Sequence, residues 1–248
     1  MKRILILVVT TLFTTSWAKA DEPIENFGIF NHVSIGAGFG ILDGIGFEVA
    51  TPITDFVQLR AGYSFLPTIK YEADGFEYKD NNDVEKEAEA DFSLNMKDFK
   101  VLFDIYPART KAFHFTVGAY IGQDKLLKAK SYVPDIKPGE GLIIGDYTLG
   151  ADYEDGYVRA AIKVNKFKPY VGFGFGHHMP RKRVNCSFDM GVQFWGTPAI
   201  HGRDVETGEY HKITKDDIGE ESADEYFDTL SKLTVCPVIS FRINGRIF

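Results

Sequence analysis

Cysteine, tryptophan and long hydrophobic runs are all scarce in this chain of 248 residues. Its two cysteines, Cys186 and Cys236, allow one bridge at most. The other arrangement is two separate thiols, buried or facing lipid, each within a strand-like segment. After residue 20 no run of about 18 apolar residues occurs, which excludes a helical membrane protein. Positive charge is also short, with 28 Lys and Arg against 35 Asp and Glu. That acidic balance argues against nucleic-acid partners.

What is present begins with an export signal. Lys2 and Arg3 precede a mostly apolar run from Ile4 to Leu12, and the small residues Ala18 and Ala20 precede Asp21. Residues 1–20 therefore read as a secretory signal peptide cleaved after Ala20, with one domain over residues 21–248. An aspartate follows the cut where a lipoprotein would carry a cysteine. Losing Lys2, Arg3 and Lys19 leaves 25 basic residues against 35 acidic ones in the mature chain.

The mature chain repeats a two-residue alternation. In Phe56–Phe65, Val57, Leu59, Ala61, Tyr63 and Phe65 share one face, and Gln58, Arg60, Gly62 and Ser64 share the other. The same dyad recurs at residues 33–39, 45–49, 91–105, 113–121, 169–176, 184–195 and 239–247. Such strands, apolar toward lipid and polar toward a lumen, predict an all-β, transmembrane antiparallel β-barrel in an outer membrane. The count is eight strands. Tyr157 to Val164 also alternates, so ten is the alternative, with a tenth strand within residues 197–232.

Long polar connections are expected over residues 67–90, 124–156 and 197–232, and short ones over 51–55, 107–111 and 177–183. Long loops on one side and both termini in the periplasm follow from that asymmetry. A weakly helical stretch runs from Asp217 to Lys232. In residues 91–105 the apolar phase changes at Lys97-Asp98, which predicts a bulge there. Glycines 172, 174 and 176 fall on the lumen face, where they let a narrow barrel close around bulky partners. Tyr106 and Trp195, at strand ends, are expected at the bilayer interfaces, although alternation puts Trp195 in the lumen phase of Gln193.

The blocks Val101-Leu102-Phe103-Asp104-Ile105-Tyr106-Pro107, Pro169–Gly176, Phe188–Pro198 and Pro237-Val238-Ile239-Ser240 resemble recurrent blocks of uncharacterised bacterial outer-membrane β-barrel proteins. In layout these are similar to the small OmpA-like and OmpW-like barrels. The resemblance implies a fold and carries no catalytic residue across. One departure is the last residue. Phe248 shares the phase of Arg242, Asn244 and Arg246, not that of the outward residues.

The lumen phase collects Glu48, Arg60, Lys100, Asp104, Asp189, Arg242 and Arg246. Opposite charges hydrogen-bonded across a narrow lumen are tolerated where a lone buried charge is not. These seven residues are therefore expected to form either a polar plug or the lining of a solute path. An eight-stranded lumen is just wide enough for side chains to fill, which favours the plug. His114 faces inward, with Asp104 and Ser187 as candidate neighbours, but no local hydrolase motif surrounds it. Arg181, Lys182 and Arg183 form a compact basic patch suited to lipid head groups. His177 and His178 are adjacent and would point to opposite sides of a strand, which disfavours a shared metal.

The acidic runs Asp80–Glu89 and Glu220–Glu225 lack the glycine-turned spacing of a calcium loop, and the three glycines sit inside a strand, unlike a nucleotide-binding turn. No cofactor, metal or catalytic residue is expected. The predicted partners are outer-membrane lipid and, during biogenesis, the barrel-insertion machinery. The expected function is non-enzymatic: a membrane anchor whose outer segments meet other surfaces. The alternatives are a narrow pore for small solutes and, remotely, a lipid-modifying enzyme.

Overall fold

The computed structural model describes residues 26–247, apart from 80–84, 109–110, 133–140, 145–146, 153–154, 205–208, 215–216 and 218–220. Residues 1–20, expected to be a signal peptide, and Phe248 lie outside the described residues. Eight strands follow the dyads and form the wall. They are β1 (Ser34–Ile41), β2 (Gly44–Pro52), β3 (Val57–Lys79), β4 (Glu85–Ile105), β5 (Phe113–Gly122), β10 (Phe167–Phe175), β11 (Val184–Phe194) and β14 (Val235–Arg246). Each pairs antiparallel with its neighbours. β3 pairs with β4, and β14 returns to β1 with Ser34 opposite Arg246, so the ring is closed.

Closure matters because lipid offers no partner to an open sheet edge. The wall is apolar outside and polar within, the reverse of a soluble barrel. Phe39, Phe47, Phe99, Phe175 and Ile243 are each more than half exposed on the outside, while Gln58, Arg60, Asp104, Asp189 and Arg242 are buried inside. A continuous apolar belt of that size is far larger than water tolerates on a monomer, so lipid must cover it. Lumen glycines make room for the filling. A Cβ on Gly174 would lie 2.7 Å from His114 Nε2 and from Asp189 Oδ1, and one on Gly38 would collide with Arg242.

The segments expected as long loops are largely sheet. β3 and β4 are 23 and 21 residues long, and their paired ends rise beyond the ring. Beside them stand β6 (Lys125–Tyr132), β9 (Tyr157–Lys163), β12 (Ala199–Arg203) and β13 (Tyr210–Lys212), joined edge to edge onto β4. β7 (Gly141–Ile144) and β8 (Tyr147–Gly150) form a hairpin reached from β3, and helix α1 covers Glu221–Lys232. The Tyr157 segment is thus a strand outside the ring. Its neighbours are mixed Lys, Ala and Ser sequences of low strand propensity, so only pairing beyond the membrane stabilises them as strands.

The expected bulge at Lys97-Asp98 is absent. Register slips instead on the partner strand, between Leu66 and Ile69. The even residues of β4 from Ala90 to Asp104 keep one inward face. That face turns from charged to apolar at Met96 because it meets an apolar cluster at the outer rim. Leu66, Met96, Val164, Trp195 and Cys236 form the cluster, with Leu42, Leu94 and Leu126 packed against it.

Trp195 is therefore buried at the rim, its Nε1 donating to Gln193 Oε1 at 3.0 Å, and is not an interfacial residue. Tyr106 is buried as well. Its ring stacks on His177 and its hydroxyl meets Gln58 Oε1 and the Gly176 carbonyl, both at 3.2 Å. Polar partners inside outweigh the amphipathic preference for a membrane boundary. The two cysteines are free and face opposite ways, Cys186 outward and Cys236 into the rim cluster.

Candidate functional site: the charged lumen

Six of the seven lumen charges read from alternation come together. Arg60 is the hub. Its Nη1 lies 3.2 Å from Glu48 Oε2 and 3.5 Å from Asp189 Oδ2, and its Nη2 lies 2.8 Å from Asp104 Oδ1. Arg242 reaches Glu48 through Nε at 2.8 Å and Asp189 through Nη1 at 2.7 Å. Lys100 meets Glu48 Oε1 at 2.6 Å. These contacts follow from the pleat, since inward residues of neighbouring strands stack in layers and opposite signs meet across a narrow bore.

Arg246, the seventh, is also buried but sits at the end of the barrel that carries the chain termini. There it donates from Nη1 to the Arg181 carbonyl at 2.8 Å. Of the basic patch, Lys182 is exposed, whereas Arg181 lies over the ring of Phe27, 5.0 Å from its centroid.

Several members have no clear alternation signal. Asp43, in the turn between β1 and β2, lies 3.2 Å from Lys100 Nζ and 3.3 Å from Arg242 Nη2. Lys168 and Asp98 form a separate pair near the rim. Lys168 Nζ lies 2.7 and 2.9 Å from the two Asp98 oxygens and donates to the Gln123 carbonyl at 3.0 Å. Both residues are in the inward phase. The apparent slip hid Asp98, and Lys168 stands one residue before the expected start of its strand.

The largest omission is His178. The short connection 177–183 folds back into the bore, so that His178 and Met179 are fully buried. His178 Nδ1 lies 3.2 Å from Asp104 Oδ2, while Nε2 lies 3.0 Å from Asp189 Oδ2 and 3.1 Å from Ser187 Oγ, and Arg60 Nη1 donates to it at 2.8 Å. His114 Nε2 binds Asp189 Oδ1 at 2.9 Å, so its partner is Asp189, not Ser187. Outside the strands, burial together with the nearby Arg181 guanidinium brings the His177 imidazole down to about 4, so it is neutral at pH 7.

This arrangement closes the bore at both ends. The rim cluster seals one end with hydrocarbon, and the Tyr106, His177 and His178 group seals the end that carries the chain termini. A Ser187, His178, Asp104 sequence of contacts superficially resembles a hydrolytic triad, but all three residues are at most 1% exposed. Asp104, His114 and His178 bring ligand-type atoms within 4.8 Å of one another. Arg60 and Thr116 already take Asp104 Oδ1, and a guanidinium beside His178 opposes a metal cation. A concavity of about 1020 Å³ lies on the outer wall, against Ile35, Ala37, Phe47, Val49 and Tyr63.

The sequence matches no known family model, and no curated protein matches it. Among solved structures the fold is similar to that of CarO2 from Acinetobacter baumannii, with 17% identity and a TM-score of 0.50 over 90% of this chain and 100% of that one. CarO from the same organism matches with 16% identity and a TM-score of 0.48, covering 88% and 97% of the two chains. A major outer membrane protein from Thermus thermophilus matches with 13% identity and a TM-score of 0.35, covering 87% and 98%. At such identities the likeness is one of fold. A closed antiparallel barrel with an apolar belt is the architecture of bacterial outer membranes, and this protein is an outer-membrane barrel.

Proposed function

We propose that the protein is a non-enzymatic outer-membrane anchor, in the layout of the small OmpA-like and OmpW-like barrels, whose upper sheet meets other surfaces. One observation supports this reading above the others: the bore is filled by mutually bonded charges, from Glu48 at 4% exposure to Asp104 at none. Moving a solute through it would break several buried ion pairs at once, each costly to open. Its partners on this reading are outer-membrane lipid and the barrel-insertion machinery, with Arg181, Lys182 and Arg183 facing head groups at the periplasmic edge.

The second reading is a gated conduit for small solutes. It is favoured by the closure of the periplasmic end, where a turn does the sealing instead of the wall. Planar-bilayer conductance separates the two. The anchor reading expects electrical silence from purified protein, and reproducible unitary currents overturn it.

A further inference from the structure

Above the membrane β6, β9, β12 and β13 carry a charge pattern the lumen does not use. Asp91, in the outward phase of β4, pairs with Lys130, and Ser93 pairs with Lys128. Lys130 in turn faces Arg159, and Lys125 faces Lys163. Because β4 keeps its phase, this lysine-bearing face continues the lipid-facing side of the wall upward. It is not a continuation of the bore.

Two of these lysines converge on one ring. Lys125 Nζ lies 3.7 Å and Lys163 Nζ 5.2 Å from the Tyr210 ring centroid. Like charges directly opposite each other destabilise a sheet, and among the described residues neither lysine makes an ion pair with a carboxylate within 4.0 Å. Asp124, beside Lys125, attracts it without forming an ion pair, and the other acids nearby are taken. Asp152 pairs with Arg159 at 2.8 Å and with Arg203, and Asp155 pairs with Arg159. Burial and then the Lys163 ammonium push Lys125 below the usual lysine range against the attraction of Asp124, so that neighbouring acid does not neutralise the pair.

Height identifies the counter-ion. Ile121 and Phe167 form the last lipid-facing pair of this part of the wall, both at least half exposed and opposite one another. Lys125 follows Ile121 by four positions and Lys163 precedes Phe167 by four, so each lies within about 13 Å of the hydrocarbon edge at about 3.3 Å per residue. We infer that Lys125, Lys163 and Tyr210 form a binding site for a phosphate group of the outer leaflet's phosphorylated glycolipid, held against the barrel wall. The ammonium pair supplies the charge, and the Tyr210 ring keeps the two lysines side by side. The inference rests on the outer-membrane placement and is independent of whether the lumen conducts.

The test uses the full folded barrel in detergent micelles and a fluorescent lipid A carrying both of its phosphates. Lys125→Gln/Lys163→Gln is compared with the unaltered protein, and Lys70→Gln on the β3 extension is the control. At about fivefold per lysine near an anionic surface, the double variant is expected to bind about twenty-five-fold more weakly, with the control unchanged. Heat-modifiable gel mobility confirms that each variant is a folded barrel, so loss of the fold and loss of the site are distinguished. Lipid A stripped of phosphate should bind as weakly to the unaltered protein as intact lipid A does to the double variant. Equal binding of the stripped lipid, or undiminished binding by the double variant, overturns the site. Inorganic phosphate binding as tightly as lipid A overturns its assignment to the glycolipid.

Discussion

Replacing Lys168 by methionine isolates one buried ion pair from the rest of the lumen. Lys168 is fully buried, Asp98 is 2% exposed, and their closest N to O distance is 2.7 Å. At an effective dielectric of about 20 that separation corresponds to about 6 kcal/mol of attraction, most of it offset by desolvation of the two ions. Lys168→Met removes the attraction but leaves the Asp98 carboxylate buried. The expected cost is about 3 to 5 kcal/mol of barrel stability.

Asp98→Leu alone strands the ammonium and should cost a similar amount. The double variant removes both desolvation penalties together, so it should be near neutral or more stable by about 1 to 4 kcal/mol. Urea unfolding in lipid vesicles, followed by Trp195, completes the cycle. Trp195 suits the purpose because the chain has two tryptophans, and the other, Trp17, falls in the segment expected to be cleaved as a signal peptide. Single-variant changes within about 0.5 kcal/mol, the usual surface range, would refute the reasoning by placing the pair in open water. Two strictly additive losses would refute it too, since they would show no coupling.

Arg60→Ala, which strips three carboxylates of a cation, should also cost about 3 to 5 kcal/mol in the same urea assay, whereas Glu48 and Asp189 retain Arg242. Gly174→Val should leave a fraction of unfolded protein on heat-modifiability gels, because its Cβ would stand 2.7 Å from His114 Nε2; overpacking of this kind costs about 1 to 3 kcal/mol. Trp195 should resist quenching by brominated lipids at every depth, and strong quenching at any depth would contradict its burial in the rim cluster. His177, down to about 4 in the fold against 6.5 when unfolded, binds fewer protons in the native state, so its contribution falls as pH drops from 6.5 toward 4. His177→Gln should flatten that part of the stability profile, measured as the urea midpoint against pH.

The two-residue alternation by itself determined the eight-stranded ring and its polarity. A strand between lipid and a bore has two unlike environments, and each side chain reports which one it meets. The same logic placed Glu48, Arg60, Lys100, Asp104, Asp189 and Arg242 in one lumen, although it could not pair them. Pairing depends on register across strands distant in sequence, as in the contact from Arg60 on β3 to Asp189 on β11.

Tertiary structure alone decided everything that lacks two unlike faces. The strands above the membrane meet water on their charged side, so no lipid-facing stripe marks them, and residues 67–90 read as loop although β3 and β4 pair through most of that span. The inward fold of His178 was equally illegible, because a turn carries no period from which to infer direction. Tyr106 and Trp195 went the same way. An aromatic ring at a strand end satisfies either an interface or a packed cavity, and the choice belonged to the hydrogen-bond partners that the closed barrel brought to it.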